Sequence, residues 1–209
     1  GSPCGVSRGE NLLDLRGSAQ GRNVVLIALE STAARYLGLY GAPQDPMPVL
    51  TGLARNALVF QRAYAVYPES IKGLFSVLCS VYPASKSAPC DALPQALRDR
   101  GYRTALFHSG HFGYLGMEDV IRQVVCETLA DAGDIGGNHQ SSFGVDEPST
   151  VAQILRWIDS RPFFVAYLPI AGHHPYETPE PGPFPDNHPF DRYRNSLHYG
   201  DAALGEGRT

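Results

Sequence analysis

The sequence lacks a marked excess of charge of either sign. Its 209 residues include 17 Lys and Arg against 21 Asp and Glu, a formal net charge of -4, and these charges are scattered along the chain. Because nucleic-acid binding usually needs a basic face or stripe, nucleic acid is not expected as a partner. Charged residues make up only 18% of the chain and apolar residues 43%, which excludes a disordered protein. We therefore expect a folded globular protein.

Long hydrophobic runs are also absent. A helix that spans a bilayer needs about 20 apolar residues, whereas the longest apolar runs here are residues 24–29 and 163–170. The opening Gly1-Ser2 is typical of a cleaved tag. We therefore expect a membrane partner only through an anchor or signal segment that lies outside this sequence.

Cysteine is scarce, with four residues: Cys4, Cys79, Cys90 and Cys126. Four cysteines allow three fully paired connectivities. Cys79 and Cys90 are the easiest pair to join, because only a short loop of Pro, Ser and Ala separates the two helices on which we expect them. We predict that these two are close enough to pair. Buried free thiols are the alternative interpretation.

The order of strand-like and helix-like segments predicts an α/β fold. Residues 1–21 lack periodicity and suggest a flexible arm, followed by one domain over residues 22–209. Apolar runs predict strands, and helical spacing of apolar residues predicts helices. The expected strands are residues 23–29 (buried on both faces), 58–66, 102–108 and 163–169, and the expected helices are residues 48–57, 70–80 and 90–100 and one from 146. This alternation is typical of an α/β/α sandwich with a mostly parallel central sheet.

Three polar features lie next to the expected strands and helices. Glu30 directly follows the first strand, residues 68–70 precede a helix, and residues 173–176 follow the last strand. In open α/β sheets, ligands bind outside the carboxyl ends of the strands. We therefore predict that Glu30, Ser70 and His173 converge at one end of the sheet.

Each of these residues has a structural alternative. Glu30 fits a metal ligand, but a carboxylate at this place also fits a helix cap. Ser70 fits a helix N-cap, yet the positive end of a helix dipole also favours a tetrahedral anion, and a hydroxyl there could attack it. Serine needs a base or a metal to become a good nucleophile. Lys72 adds a positive charge that could contact the same anion.

The histidines are individually weak candidates, because a lone histidine in a loop is more often a surface residue than a ligand. His173 and His174 follow a buried strand, and Pro175 restricts the backbone beside them. His108 and His111 follow another strand, and we assign them a structural role by default.

Several segments taken in order resemble the sulfatase-like hydrolases and transferases of the alkaline phosphatase superfamily. The segments are residues 23–31, 67–75, 79–83, 97–104, 143–147, 162–165, 173–176 and 193–201. Lipoteichoic acid synthases and phosphoethanolamine transferases are members of this group. The resemblance covers nearly everything after Gly21, and it implies an alkaline phosphatase-like sandwich.

The resemblance implies a role for each candidate residue. By position, Glu30 would bind a divalent metal (zinc, manganese or calcium), Ser70 would be both nucleophile and metal ligand, and His173 would contact the substrate anion. Ser70 is not followed by the Pro-Ser-Arg pattern of true sulfatases, so conversion to formylglycine is not expected. A single Glu30 in place of paired aspartates also resembles the transferases of phosphate-linked groups.

The resemblance also predicts what should follow the last segment. Family members have a further metal-binding Asp-His pair in a Gly-Asp-His-Gly block after a helix that residues 193–205 resemble, and this sequence ends before such a block. We therefore expect a C-terminally incomplete catalytic domain, in which this chain alone can be inactive.

The predicted function is that of a metal-dependent hydrolase or transferase acting on phosphate or sulfate esters, with a glycan or a lipid head group as possible acceptor. A sulfuric ester hydrolase on the same fold and a non-catalytic module that binds anions or sugars are the alternatives. Such relatives commonly lie outside the cytoplasm on a membrane anchor, so we expect an extracytoplasmic location.

Overall fold

The computed structural model describes residues 16–83, 90–114, 117–121, 126–141 and 143–207. Most of the predicted N-terminal arm, together with Cys4, lies outside the described residues. The helices are Pro48–Ala54 (α1), Ser70–Cys79 (α2), Leu93–Arg98 (α3), Met117–Ile121 (α4), Ala132–Ile135 (α5), Glu147–Trp157 (α6) and Pro189–Glu206 (α7). Two single 3₁₀ turns, Ala34–Tyr36 and Gly38–Tyr40, connect the first strand to α1. No helix in these ranges is long and apolar enough to cross a membrane.

Four parallel strands form the central sheet in the order β1-β4-β2-β3. They are Val24–Ile27 (β1), Arg103–His108 (β2), Thr128–Ala130 (β3) and Phe163–Leu168 (β4). In the register, Val165 of β4 lies between Val25 of β1 and Ala105 of β2. All six residues of β4 are buried, as expected for a central strand with helices on both faces.

Helices cover both faces of the sheet. Side chains of α2 and α4, such as Leu74 and Val120, pack with Phe164 on one face. Side chains of α6 and α7, such as Val151 and Ala203, pack on the other. The expected α/β/α sandwich with a parallel sheet is confirmed.

Two strand predictions are wrong. β1 lies at the edge of the sheet and is buried on one face only, because Val25 and Ile27, which point to the other face, remain 54% and 40% exposed. Residues 58–66 form no strand. The apolar residues of this segment predicted a strand, but polar residues interrupt the run, and Leu58 and Tyr64 are exposed to solvent.

The helix predictions are confirmed in position, with shorter bounds for α1 and α3. Gly101, just past α3, has a φ of 84°, a left-handed conformation that glycine adopts without a steric penalty. Asp146 caps α6, since its side chain accepts a hydrogen bond from the Ser149 amide at 2.8 Å. The short elements α4, β3 and α5 were not predicted.

The predicted disulfide between Cys79 and Cys90 is present, with the two Cα atoms 5.5 Å apart. It joins the end of α2 to the segment before α3, and so fixes α2 at the end opposite Ser70. Cys126 forms no disulfide within the described residues. Burial raises the pKa of its thiol to about 12, which makes it an unreactive thiol.

Candidate active site

A cavity of about 90 Å³ lies at the carboxyl end of the sheet. Its lining includes residues from five separate parts of the chain: Glu30, Ser70, His108, His111, Phe143 and His173. Glu30 follows β1, His108 ends β2 and His173 follows β4, so parallel strands direct all three to one edge. The predicted convergence of Glu30, Ser70 and His173 is confirmed.

The side chains of Glu30 and Ser70 are in direct contact. The Ser70 hydroxyl donates a hydrogen bond to Glu30 Oε1 at 2.9 Å. Ser70 is the first residue of α2, and the N-cap residue is Glu69, whose side chain makes no capping hydrogen bond. The Ser70 hydroxyl is therefore directed to the Glu30 carboxylate instead of capping the helix.

The backbone after Glu30 is held from two sides. Tyr193 of α7 donates a hydrogen bond from its hydroxyl to the Ser31 carbonyl at 2.7 Å. On the other side, Gly172 packs so closely that an added Cβ atom would lie 2.5 Å from the Glu30 carbonyl oxygen. Glycine at position 172 thus brings the segment with His173 directly beside Glu30.

His173 and His108 present the same ring tautomer. Nδ1 of His173 lies 2.6 Å from the His174 carbonyl, and Nδ1 of His108 lies 2.9 Å from the Leu168 carbonyl. Because a carbonyl can only accept, each Nδ1 bears the proton in these contacts, and Nε2 of the neutral ring is left as the acceptor. His173 also packs against Phe143, with ring centroids 4.6 Å apart.

His108 lines the pocket, although only a structural role was expected for it from the sequence. Its ring is 4% exposed, and burial lowers its pKa below the usual value, so the neutral form is favoured. The rule that identified Glu30, a polar residue at the carboxyl end of a buried strand, applies equally to His108 at the end of β2. His111 also lines the pocket.

Lys72, His188 and His198 do not line this cavity. Lys72 pairs with Glu69 at 2.9 Å, and its ammonium lies 4.3 Å from the ring centroid of Tyr67. Lys72 is half-buried on α2 and does not itself line the pocket, although its partner Glu69 does. His188 caps α7, and His198 contacts the Pro46 carbonyl.

A buried carboxyl is bonded to the pocket lining through the Ile170 amide. Glu147 is 1% exposed and accepts hydrogen bonds from the Ser109 and Tyr167 hydroxyls and from the Ile170 and Ala171 amides. Burial raises the pKa of this carboxyl to about 7, although these four donors act to lower it. The sequence suggested only that this region opens a helix.

The donor set at the pocket fits a divalent cation in part. The Glu30 carboxylate and the Ser70 hydroxyl are adjacent oxygen donors of the kind that bind divalent metals. Across the described ranges, however, no three His, Cys, Asp or Glu side chains group together as a metal site. These two residues can therefore supply some of the ligands of such an ion, but not a full set.

The chain is similar in sequence to proteins of a known family. The family model described as Sulfatase matches residues 22–206. The lipoteichoic acid synthase-like protein YvgJ of Bacillus subtilis is 23% identical over 90% of this chain and 34% of its own length. Lipoteichoic acid synthase 2 of the same organism is 20% identical over 90% of this chain. The chain spans about a third of the length of these curated relatives.

Solved structures share the fold. The lipoteichoic acid synthase LtaP from Listeria monocytogenes superposes with a TM-score of 0.79 at 20% identity, over 91% of this chain and 52% of that one. The periplasmic domain of EcEptC from Escherichia coli, in complex with zinc, has a TM-score of 0.64 at 18% identity, over 88% and 57%. These structures confirm the expected alkaline phosphatase-like architecture.

Proposed function

The chain belongs to the sulfatase family, and we propose that it is an enzyme that hydrolyses or transfers a phosphate-linked group. Ser70 is the proposed nucleophile. The observation that supports the proposal is the hydrogen bond from the Ser70 hydroxyl to Glu30 at the base of a pocket. A structural serine at this position would be expected to cap α2, and Ser70 does not.

The chemical step is a displacement at phosphorus. The Ser70 oxygen attacks the phosphorus, the bond to the leaving alcohol breaks, and the proton lost from Ser70 ends on that alcohol. Water or an acceptor alcohol then attacks the phosphoserine, releasing the phosphate-linked group and returning a proton to Ser70. The positive end of the ten-residue helix α2 favours the anionic group beside Ser70.

Glu30 and Ser70 would hold a divalent cation, with zinc, manganese and calcium as the candidates. When bound, such an ion would favour the deprotonated form of the Ser70 hydroxyl and offset the negative charge of the ester. Glu30 itself accepts the hydrogen bond that orients the Ser70 oxygen. The zinc complex of the Escherichia coli neighbour supports a metal of this class.

His173 is the proposed contact for the ester anion. Its protonation on Nδ1 leaves Nε2 as an acceptor in the neutral ring, and protonation of Nε2 would convert it into a donor to an ester oxygen or to the leaving group. Lys72 remains a predicted anion contact. To act in this way it would have to exchange its pairing with Glu69 for the substrate.

The functions of similar proteins suggest the kind of substrate. They include lipoteichoic acid synthases, a phosphoethanolamine transferase and a phosphoglycerol transferase that was solved with sn-glycerol-1-phosphate. We infer that this protein acts on a phosphate ester of a lipid or a glycan of the cell envelope, outside the cytoplasm. The disulfide between Cys79 and Cys90 supports that location, because such bonds persist in oxidising compartments.

The test compares matched phosphate and sulfate esters of one alcohol with zinc, manganese or calcium added in turn. The proposal predicts turnover of the phosphate ester and a phosphate adduct on the Ser70 peptide in mass spectrometry. Preferred turnover of the sulfate ester would support the sulfuric ester hydrolase instead. Binding of a phosphate ester without turnover would support the non-catalytic module.

A further inference from the structure

Glu147 lies at the centre of a hydrogen-bond network that meets the pocket beside Glu30 through Ile170. Its Oε1 accepts from the Ser109 hydroxyl at 3.0 Å, the Ile170 amide at 2.8 Å and the Ala171 amide at 2.9 Å. Its Oε2 accepts from the Tyr167 hydroxyl. Glu147 is not among the residues that line the cavity beside Glu30. Its contacts therefore act on neighbouring segments of the chain.

These neighbouring segments contain the two histidines of the pocket. Ser109 directly follows His108, and its amide donates to the Leu168 carbonyl at 3.2 Å, the same carbonyl that His108 Nδ1 contacts. On the other segment, the Ile170 carbonyl accepts from the His173 amide at 2.7 Å and closes the turn that presents His173. One carboxyl oxygen thus joins the starts of both segments.

The two segments are also hydrogen-bonded directly to each other. The Ile170 amide donates to the Ser109 hydroxyl oxygen at 3.0 Å as well as to Glu147 Oε1 at 2.8 Å. The Glu147 amide in turn donates to the Tyr199 hydroxyl of α7 at 3.0 Å, which ties the start of α6 to the last helix. Backbone amides can only donate, so the two at residues 170 and 171 need an acceptor at this buried place.

We propose that Glu147 is a positioning residue that fixes the segments of His108 and His173 relative to each other at the pocket. The proposal rests on the proposed function, because positioning matters only if these histidines contact a substrate. Errors of about 1 Å in the placement of such groups can reduce turnover about 100-fold. Glu147 would therefore affect the reaction without touching the substrate.

Asp201 provides a matched control for a purely structural role. Like Glu147 it is 1% exposed, and it accepts two backbone amides, from Val49 at 2.7 Å and Leu50 at 2.9 Å. These bonds join α7 to the start of α1, and Asp201 does not line the pocket. Asp201→Asn and Glu147→Gln thus disturb comparable buried carboxyls in different places.

The experiment measures hydrogen exchange and ester turnover for wild type, Glu147→Gln, Glu147→Ala and Asp201→Asn. Glu147→Gln retains one acceptor oxygen and the residue's size, which keeps the test valid where Glu147→Ala fails to fold. We expect amide exchange in residues 108–112 and 170–174 to become at least tenfold faster in Glu147→Gln and to stay at the wild-type rate in Asp201→Asn. We expect kcat/KM to fall at least tenfold in Glu147→Gln, further in a folded Glu147→Ala, and less than twofold in Asp201→Asn.

Unchanged exchange in both segments of Glu147→Gln would overturn the proposal. Equal losses of kcat/KM in Glu147→Gln and Asp201→Asn would overturn it too, since both would then reflect stability alone. A wild type that turns over no ester when assayed as the full-length protein with added metal would refute the proposed function. Exchange in the two segments would then decide by itself whether Glu147 fixes them.

Discussion

The hydroxyl of Ser70 lies 2.9 Å from a carboxylate oxygen of Glu30, although the two residues are 40 positions apart in the sequence. Glu30 follows an edge strand and Ser70 starts a helix. The two residues therefore meet only through the packing of these two elements. Their contact also excludes the simplest structural role for each, because neither side chain caps a helix in this arrangement.

Replacement of Ser70 tests the nucleophile. Ser70→Ala should reduce ester turnover by orders of magnitude, because the two-step route through a phosphoserine is lost. The free energy of unfolding should fall by only about 1 kcal/mol, the typical value of one hydrogen bond. Ser70→Thr keeps a hydroxyl and should retain part of the activity. Near wild-type turnover in Ser70→Ala would exclude Ser70 as the nucleophile, and turnover with thermal unfolding measures both effects.

Replacement of Glu30 tests the metal site without an activity assay. Glu30→Gln removes the negative charge beside Ser70, so the affinity for zinc or manganese should fall at least tenfold in titration calorimetry. Glu69→Gln is the matched control, because Glu69 lines the same pocket but pairs with Lys72. Equal affinity in wild type and Glu30→Gln would exclude Glu30 as a ligand.

Gly110 tests how closely His108 is confined. A Cβ atom at position 110 would lie 2.6 Å from His108 Nε2 and 3.1 Å from a side-chain carbon of Ile170. Gly110→Ala should therefore displace the buried ring and lower the free energy of unfolding by about 1–3 kcal/mol, with a loss of turnover. Gly113→Ala should leave both unchanged, since no heavy atom lies within 4 Å of its added Cβ. The same response in both variants, by denaturant unfolding, would contradict this explanation.

Glu147 predicts a dependence of stability on pH. Its pKa is raised from 4.5 to about 7 in the folded chain, so the folded state binds the proton more tightly than the unfolded state. Its contribution to stability is then fully present below pH 4.5 and is lost as the pH rises through about 7. The total change is about 3 kcal/mol, since one pKa unit is worth about 1.4 kcal/mol. Tyr167, Tyr199 and Asp146 are the other titratable groups near it.

The measurement is urea unfolding of wild type and Glu147→Gln at several pH values from 4.5 to 8. The amide of the variant does not titrate, so the difference between the two proteins isolates Glu147. The free energy of unfolding of the wild type should fall relative to that of Glu147→Gln as the pH rises. A difference that stays constant over this range would show that Glu147 has the same pKa in the folded and unfolded chains.

Much of the fold follows from local sequence signals. The parallel sandwich and the limits of β2 and β4 were predictable, because long apolar runs and helical periodicity depend on near neighbours in the sequence. The edge position of β1 was not, since a buried and an edge strand differ in what packs on them and not in their own residues. The three-residue strand β3 is too short for any periodicity.

The site was predictable where one residue stands out against apolar neighbours. Glu30 is such a residue, and strand order then brings it to Ser70. The importance of Glu147 was not visible, because a glutamate in the first turn of a helix is ordinarily a solvent-exposed partner of the dipole. Only the packed structure shows that this one is buried and accepts four hydrogen bonds.

The open edge of β1 has a consequence for how the protein behaves when it is concentrated. No strand of the described sheet pairs with its outer side, and Val25 and Ile27 on one face of the same strand are exposed. Free strand edges with apolar side chains favour pairing between molecules. Such pairing would begin three residues from Glu30, so association of molecules could distort the neighbourhood of Glu30 before any molecule unfolds. Concentrated samples of this chain would then show an altered neighbourhood of Glu30 while their helices and sheet remain intact.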